Sequence, residues 1–209
     1  MRILLFGSWV AMVLACGACG GKTDTTPAGD SGLVDASSDG KPGGDTAPDF
    51  GKCTGPGACE LVSRSCCGTC GAPTLADVIA IDRSEDSAYR SSICGPDPVG
   101  CPACAGRPNP NLQATCESGN CAVLDVRADA ISACASDDDC QLRYADCCEA
   151  CGAPAFGLIA LRKDRAADYR AKVCAADVAC PKCAVSYPAS ARAQCDATKH
   201  CVVTGVPGL

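Results

Sequence analysis

Aromatic side chains are scarce in this chain: they make up 4% of 209 residues, with one tryptophan, Trp9, and three phenylalanines. Between Cys53 and Leu124 the only aromatic is Tyr89. A segment of that size sits where a single apolar core supplies only a few kcal/mol, and one aromatic cannot make up the shortfall by burial. Histidine occurs once, at His200, which excludes His-rich metal centres and speaks against a catalytic triad. A basic excess is missing too. The formal net charge is -6, which argues against nucleic acid as a partner. That charge is uneven: Cys53 to Arg127 carries eight acids and five bases, whereas Cys134 to Cys201 carries nine of each. No apolar run is long enough to span a bilayer stably, the longest being the 13 residues from Ile3 to Ala15.

Cysteine is what the chain has instead, 22 of its 209 residues, a share typical of disulfide scaffolds. Ten of them form a frame that recurs. Cys53, Cys59, Cys66, Cys67, Cys70, Cys94, Cys101, Cys104, Cys116 and Cys121 are spaced C-x5-C-x6-CC-x2-C-x23-C-x6-C-x2-C-x11-C-x4-C. Cys134, Cys140, Cys147, Cys148, Cys151, Cys174, Cys180, Cys183, Cys195 and Cys201 repeat it, with only three gaps changed, to x22, x5 and a final x5. Such agreement reads as an internal duplication. At roughly 2–4 kcal/mol per bridge, several bridges in each copy outweigh any core it can assemble. All twenty are expected to be disulfide-bonded. Ten cysteines allow about 945 connectivities, and spacing alone does not choose among them.

At the N-terminus, Met1-Arg2 precedes the apolar run, which ends in Val13-Leu14-Ala15-Cys16-Gly17. Its length suits the apolar region of a signal peptide. Val13 at -3, Ala15 at -1 and Cys16 resemble the lipobox of bacterial lipoprotein precursors. The resemblance covers about the first 20 residues. It implies removal of residues 1–15, lipidation of Cys16 and export. By the sorting rule of that family, the lack of aspartate just after the anchor implies the outer membrane. Parity leaves Cys19 over; cleavage before Cys19 would remove that remainder but puts cysteine at -3. Cys16 is the preferred anchor, with Cys19 the alternative. Trp9 and both methionines, Met1 and Met12, fall in the segment expected to be removed.

Residues 16–52 comprise the anchor and a spacer rich in Gly, Asp, Ser, Thr and Pro, with Leu33, Val34 and Phe50 almost its only large apolar residues. Such a composition does not recover the entropy of ordering a backbone. As a flexible coil it would hold the repeats roughly 30 Å from the membrane. Residues 53–124 form the first repeat, 125–133 a joining segment and 134–209 the second repeat.

Each repeat reads as a small α+β module: strand, pinned loop, helix, loop and β-hairpin. Glu60–Ser63 and Gln141–Tyr144 are the opening strands. Adjacent cysteines rarely bond to each other, so Cys66 and Cys67 should reach different partners, as should Cys147 and Cys148. Gly71 and Gly152 suit a positive φ, and Pro73 and Pro154 lead onward. A helix is expected over Leu75–Ser92 and Phe156–Val173, with Ile79 and Tyr89 sharing a buried face. The Ser118-Gly119-Asn120 turn, and the stretch Asp196 to His200, mark closing hairpins that put Cys116 opposite Cys121.

Three constellations carry alternatives. Cys67-x2-Cys70 with Cys101-x2-Cys104, echoed by Cys148-x2-Cys151 with Cys180-x2-Cys183, has the two-knuckle spacing of a four-cysteine zinc site. The export signal and the six further cysteines per copy favour disulfides. A redox role for either Cys-Pro-x-Cys lacks the following helix that lowers a thiol pKa. Ser136-Asp137-Asp138-Asp139 reads as an exposed acidic turn rather than a calcium loop, having no following glycine or distal glutamate. No Gly-rich phosphate loop follows a strand, and no carboxylate pair recurs in both copies. The vicinal cysteines resemble whey-acidic-protein-like inhibitors, but those domains are shorter and lack a helix, so their activity is not transferred.

The expectation is therefore a lipid-anchored envelope protein without enzymatic activity or cofactor, a binding or structural module. Its partners would be the membrane, through the lipid, and an extracellular or periplasmic protein. A zinc or redox Cys-x-x-Cys protein and an inhibitor-like module are the alternatives. The loops beginning at Ala105 and Ala184, with Arg107-Pro108-Asn109-Pro110-Asn111 and Ser186-Tyr187-Pro188, are the candidate contact surfaces. The oligomeric state is left open.

Overall fold

A computed structural model describes residues 49–96, 99–104, 106–149, 151–152 and 154–206. All lie in the unit Asp45–Leu209. The signal segment, Cys16, Cys19 and most of the spacer fall outside the described residues.

Strand β1 (Cys59–Ser63) pairs antiparallel with β2 (Val78–Asp82), Leu61 opposite Ala80. After a short helix, α1 (Asp86–Cys94), strands β3 (Leu112–Glu117) and β4 (Asn120–Asp125) form a hairpin. Its two-residue turn, Ser118-Gly119, has φ of 52° and 77°, the double positive φ that matches strand twist in tight hairpins. The second half has the same order: β5 (Cys140–Tyr144) with β6 (Leu158–Arg162), α2 (Ala166–Val173), then β7 (Arg192–Cys195) with β8 (Cys201–Thr204). The described residues form four two-stranded ribbons. In each half one ribbon is laid on the other, β1 against β3 and β2 against β4, β5 against β7 and β6 against β8. No helix among the described residues is long and apolar enough to cross a membrane.

The long helices expected over 75–92 and 156–173 are corrected. Strands β2 and β6 occupy much of their N-terminal halves, and the α-helices are only nine and eight residues long, each entered through a three-residue 3-10 turn. The reason lies in β6, where Leu158, Ile159, Ala160 and Leu161 are all buried. Leu158 and Ala160 face the β7–β8 layer, packing with Ala191 and Cys201. Ile159 and Leu161 face the other way, onto Tyr169 of α2. A strand covered on both faces is apolar at every position, a pattern that periodicity does not separate from a buried helix. Ile79 and Tyr89 do belong to one apolar cluster, but from a strand and a helix.

Helices this short do not persist alone. Each is held by one tyrosine and one bridge. Tyr89 packs on Val62 and Ile81 and donates to the Ser63 carbonyl (3.2 Å); Tyr169, fully buried, donates to the Ala145 carbonyl. Cys94 ends α1 and Cys174 caps α2, and both are bonded back to the pinned loops.

A residue three positions before each frame completes the cover over these tyrosines. Phe50, expected in the spacer, meets Tyr89 edge-on at 5.4 Å between centroids. The Phe50 carbonyl accepts from the Asp82 amide (2.8 Å), so the chain is in place from this point. In the joining segment, Val126 and Ile131 are buried with Leu124 against Ile159, Leu161 and Tyr169. One core thus runs from β4 of the first half into α2 of the second, and Lys172 reaches Glu117 (3.4 Å) across the same junction.

Leu161→Ala should lower the unfolding free energy of the oxidised protein by about 2–5 kcal/mol. Leu75→Ala, at a residue 49% exposed, should change it by less than about 0.5 kcal/mol. Denaturant melts without reductant give both values, and equal effects would contradict this core.

Candidate functional site

The twenty repeat cysteines are all bridged, in the same five links in each half. Cys53–Cys116 and Cys59–Cys121 tie the opening strand and the segment before it to the hairpin, as do Cys134–Cys195 and Cys140–Cys201. Cys66–Cys94 and Cys147–Cys174 hold the helix ends. Cys67–Cys101 with Cys70–Cys104, and Cys148–Cys180 with Cys151–Cys183, clamp the pinned loop to the Cys-Pro-x-Cys loop. The vicinal cysteines do reach different partners. Cys116 and Cys121 face each other across the hairpin, as expected, and each bonds elsewhere. Gly71 and Gly152, beside the clamps, have φ of 116° and 95°, which favours glycine there.

The four cysteines with zinc-like spacing, Cys67, Cys70, Cys101 and Cys104, form two separate bridges. Three other sulfur groups lie within 4.8 Å: Cys53, Cys59 and Cys121; Cys134, Cys140 and Cys201; Cys147, Cys148 and Cys180. A metal takes the thiolate, so these groups become ligands only after reduction.

The acidic turn is used internally. Asp137 Oδ1 accepts from the Cys195 amide (2.8 Å), and Asp139 Oδ2 from the amides of Ala135 (2.8 Å) and Ser136 (3.0 Å). These amide donors hold the Asp139 carboxyl below its ordinary range, the Ala135 bond first. His200 Nδ1 lies 2.9 Å from Ser132 Oγ, but Ser132 is fully buried. The contact fastens the joining segment to the last hairpin, with Ser132 closed off from solvent.

The two candidate loops differ. Tyr187 lies 5.6 Å from the Tyr144 ring and donates to Glu149 Oε1 (2.6 Å), while Tyr144 donates to the Ser186 carbonyl (3.1 Å). Desolvation, then the Glu149 bond, raises the Tyr187 hydroxyl above its ordinary pKa. This loop is closed onto its own half. Arg107–Asn111 is anchored but open. The Arg107 amide donates to the Gly71 carbonyl (3.0 Å), Asn109 Nδ2 to the Pro73 carbonyl (2.9 Å), and the Val126 amide to the Asn111 carbonyl (2.8 Å). A cavity of about 490 Å³ on one side is lined by Leu61, Val62, Pro73 and Leu112. One of about 250 Å³ on the other is lined by Arg127, Phe156 and Val203. Arg107, Pro108 and Asn109 border both.

No family model matches the chain, and no curated protein or solved structure is significantly similar to it. The geometry is therefore the ground for any functional reading.

Sequence reasoning missed three residues. Arg127 and Phe156 gain meaning only when the halves are joined. Arg143 occupies the β-strand position held in the first half by Val62. It is buried with its guanidinium carbon 5.1 Å from the Tyr169 ring centroid, and it donates to the carbonyls of Asp146 (3.2 Å) and Cys147 (2.8 Å). Its Nε has no partner among the described residues, and desolvation lowers its pKa. It fastens the second pinned loop to α2, a loop that the first half holds without a buried charge.

Because the Asp139 pKa is lowered on folding, its contribution is present above the unfolded value and lost as pH falls through the folded one. The protein should therefore be more stable than its Asp139→Asn variant above the ordinary value of 3.8. The difference should close at lower pH. Paired melts against pH test this, and a gap that persists in acid would contradict the assigned bonds.

Proposed function

We propose that the chain is a lipid-anchored protein of the bacterial cell envelope, whose two cysteine-rich halves arose by duplication and form a non-enzymatic binding or structural module. The observation that carries the reading is the saturation of the frame: each half's ten cysteines close into five internal bridges. Bridges in this number belong to an oxidising compartment. They also leave no repeat thiol to act as nucleophile or redox centre. The lipobox-like Val13-Leu14-Ala15-Cys16 supplies the route to the outer membrane and the anchor at Cys16. The spacer that follows Cys16 is the tether that displays the halves.

What the scaffold displays supports binding over bulk. A loop held by hydrogen bonds and by the Cys70–Cys104 clamp is already ordered, so a partner need not order it. The partner class is a protein of the periplasm or cell exterior. A second reading, a metal carrier, rests on the three close sulfur groups and requires those bridges to be reduced.

The anchor and the oxidised frame are tested together in the native host. The membrane-fraction protein should begin at an acylated Cys16, should take up no alkylating agent at the repeat cysteines under denaturing conditions, and should become soluble as Cys16→Ser. Alkylation of repeat cysteines with zinc released in step would favour the metal reading. A soluble wild-type protein with an unmodified N-terminus would overturn the anchor.

A further inference from the structure

The cleft of about 250 Å³ is lined by all three parts of the described chain. Arg107, Pro108 and Pro110 come from the first half, Arg127 from the joining segment, and Phe156, Leu158 and Val203 from the second half. Its chemistry departs from the rest of the molecule in two ways. Phe156 is 52% exposed, although phenylalanine is ordinarily buried. The wall holds two guanidinium groups and no carboxylate, in a chain of net charge -6.

Those two arginines have no carboxylate ion pair among the described residues, where six other Lys or Arg side chains do. The adjacent carboxylate, Asp125, accepts from the Arg127 backbone amide (3.0 Å). The loop that carries Arg107 is fastened through Asn109, whose Oδ1 also accepts from the Asn111 backbone amide (3.1 Å), so the Asn109 side-chain amide is occupied by the fold. That leaves the guanidinium groups and the apolar floor for a ligand.

We propose that this cleft binds an acidic peptide segment carrying an aromatic side chain, with carboxylates on Arg107 and Arg127 and the ring against Phe156 and the exposed Pro108 ring. Guanidinium forks match carboxylates in a two-point geometry, and aromatic rings pack against one another and against proline. At physiological salt, charges beyond about 8 Å are screened. The overall negative charge therefore does not prevent an acidic ligand from docking at this local pair. The proposal deepens the binding-module reading and rests on it. The site needs both halves together, which gives the pairing of repeats a role that neither half has alone.

The test uses the full oxidised protein and the peptide acetyl-Glu-Phe-Glu-amide, with binding followed by calorimetry. Acetyl-Gln-Phe-Gln-amide, an oligonucleotide and vesicles of phosphatidylglycerol are the comparison ligands. The acidic peptide should bind saturably, and the glutamine peptide at least about tenfold more weakly. Arg107→Gln with Arg127→Gln should lose about tenfold or more, and Phe156→Ala should weaken both peptides. Arg64→Gln, at an exposed arginine that borders a different cavity, should leave binding unchanged. Equal affinity for the two peptides, equal loss from Arg64→Gln, or no saturable binding would overturn the proposal. So would tighter binding of the oligonucleotide or vesicles through the same two arginines, which would reassign the cleft to a phosphate surface. The ten bridges are read by mass on each variant. Bridges intact with no peptide bound sink this site alone, whereas free repeat thiols sink the scaffold reading beneath it.

Discussion

Two cysteines that face each other across a hairpin, Cys116 and Cys121, bond outward to Cys53 and Cys59 instead of to one another. That choice decides the architecture. A bond between them would close only the hairpin's own turn, whereas the outward bonds close loops of 63 and 62 residues. In the chain-entropy view, longer loops remove more freedom from the unfolded state, about 4 kcal/mol each at this length. The same arrangement at Cys195 and Cys201 builds the second half. With the ribbons fixed face to face, a few apolar residues per layer suffice, and the scarcity of aromatics ceases to be a liability.

The remaining bridges act on parts that burial cannot hold. Helices of nine and eight residues are each fastened at one end by a bridge and at the middle by a tyrosine hydroxyl on a backbone carbonyl. The pinned loops have little apolar content and are held by paired clamps. Because these restraints are covalent, side chains between them are free to change. Val62 gives way to a buried Arg143 without altering the strand it sits on. One loop is closed by Tyr187 on Glu149, and its counterpart is left open beside Arg107. Divergence in the loops over a constant frame is what allows a single cleft to be built between two similar halves.

Spacing carried much of this into view. The repeated frame, the facing hairpin cysteines, the divergent partners of Cys66 and Cys67, and the positive φ at Gly71 all follow from local chemistry. The strands β2 and β6 did not, because Leu158 to Leu161 are covered on both faces and lose the alternation that marks a strand. Phe50, read as spacer, and Ile131, in the joining segment, were not recognisable as core. Each sits in a polar segment and acquires its place through a tyrosine some 40 residues further on, a contact that no local pattern encodes. Arg127 and Phe156 are of the same kind, since they belong to a surface made by the junction of the halves.

The most direct measurement is the disulfide map of the native protein, obtained by partial reduction and cyanylation at acid pH so that bridges do not exchange. It should link Cys116 to Cys53, Cys121 to Cys59, Cys66 to Cys94 and Cys67 to Cys101, with the corresponding links in the second half. A bond between Cys116 and Cys121, or any bond between the two halves, would contradict the outward-bonded frame.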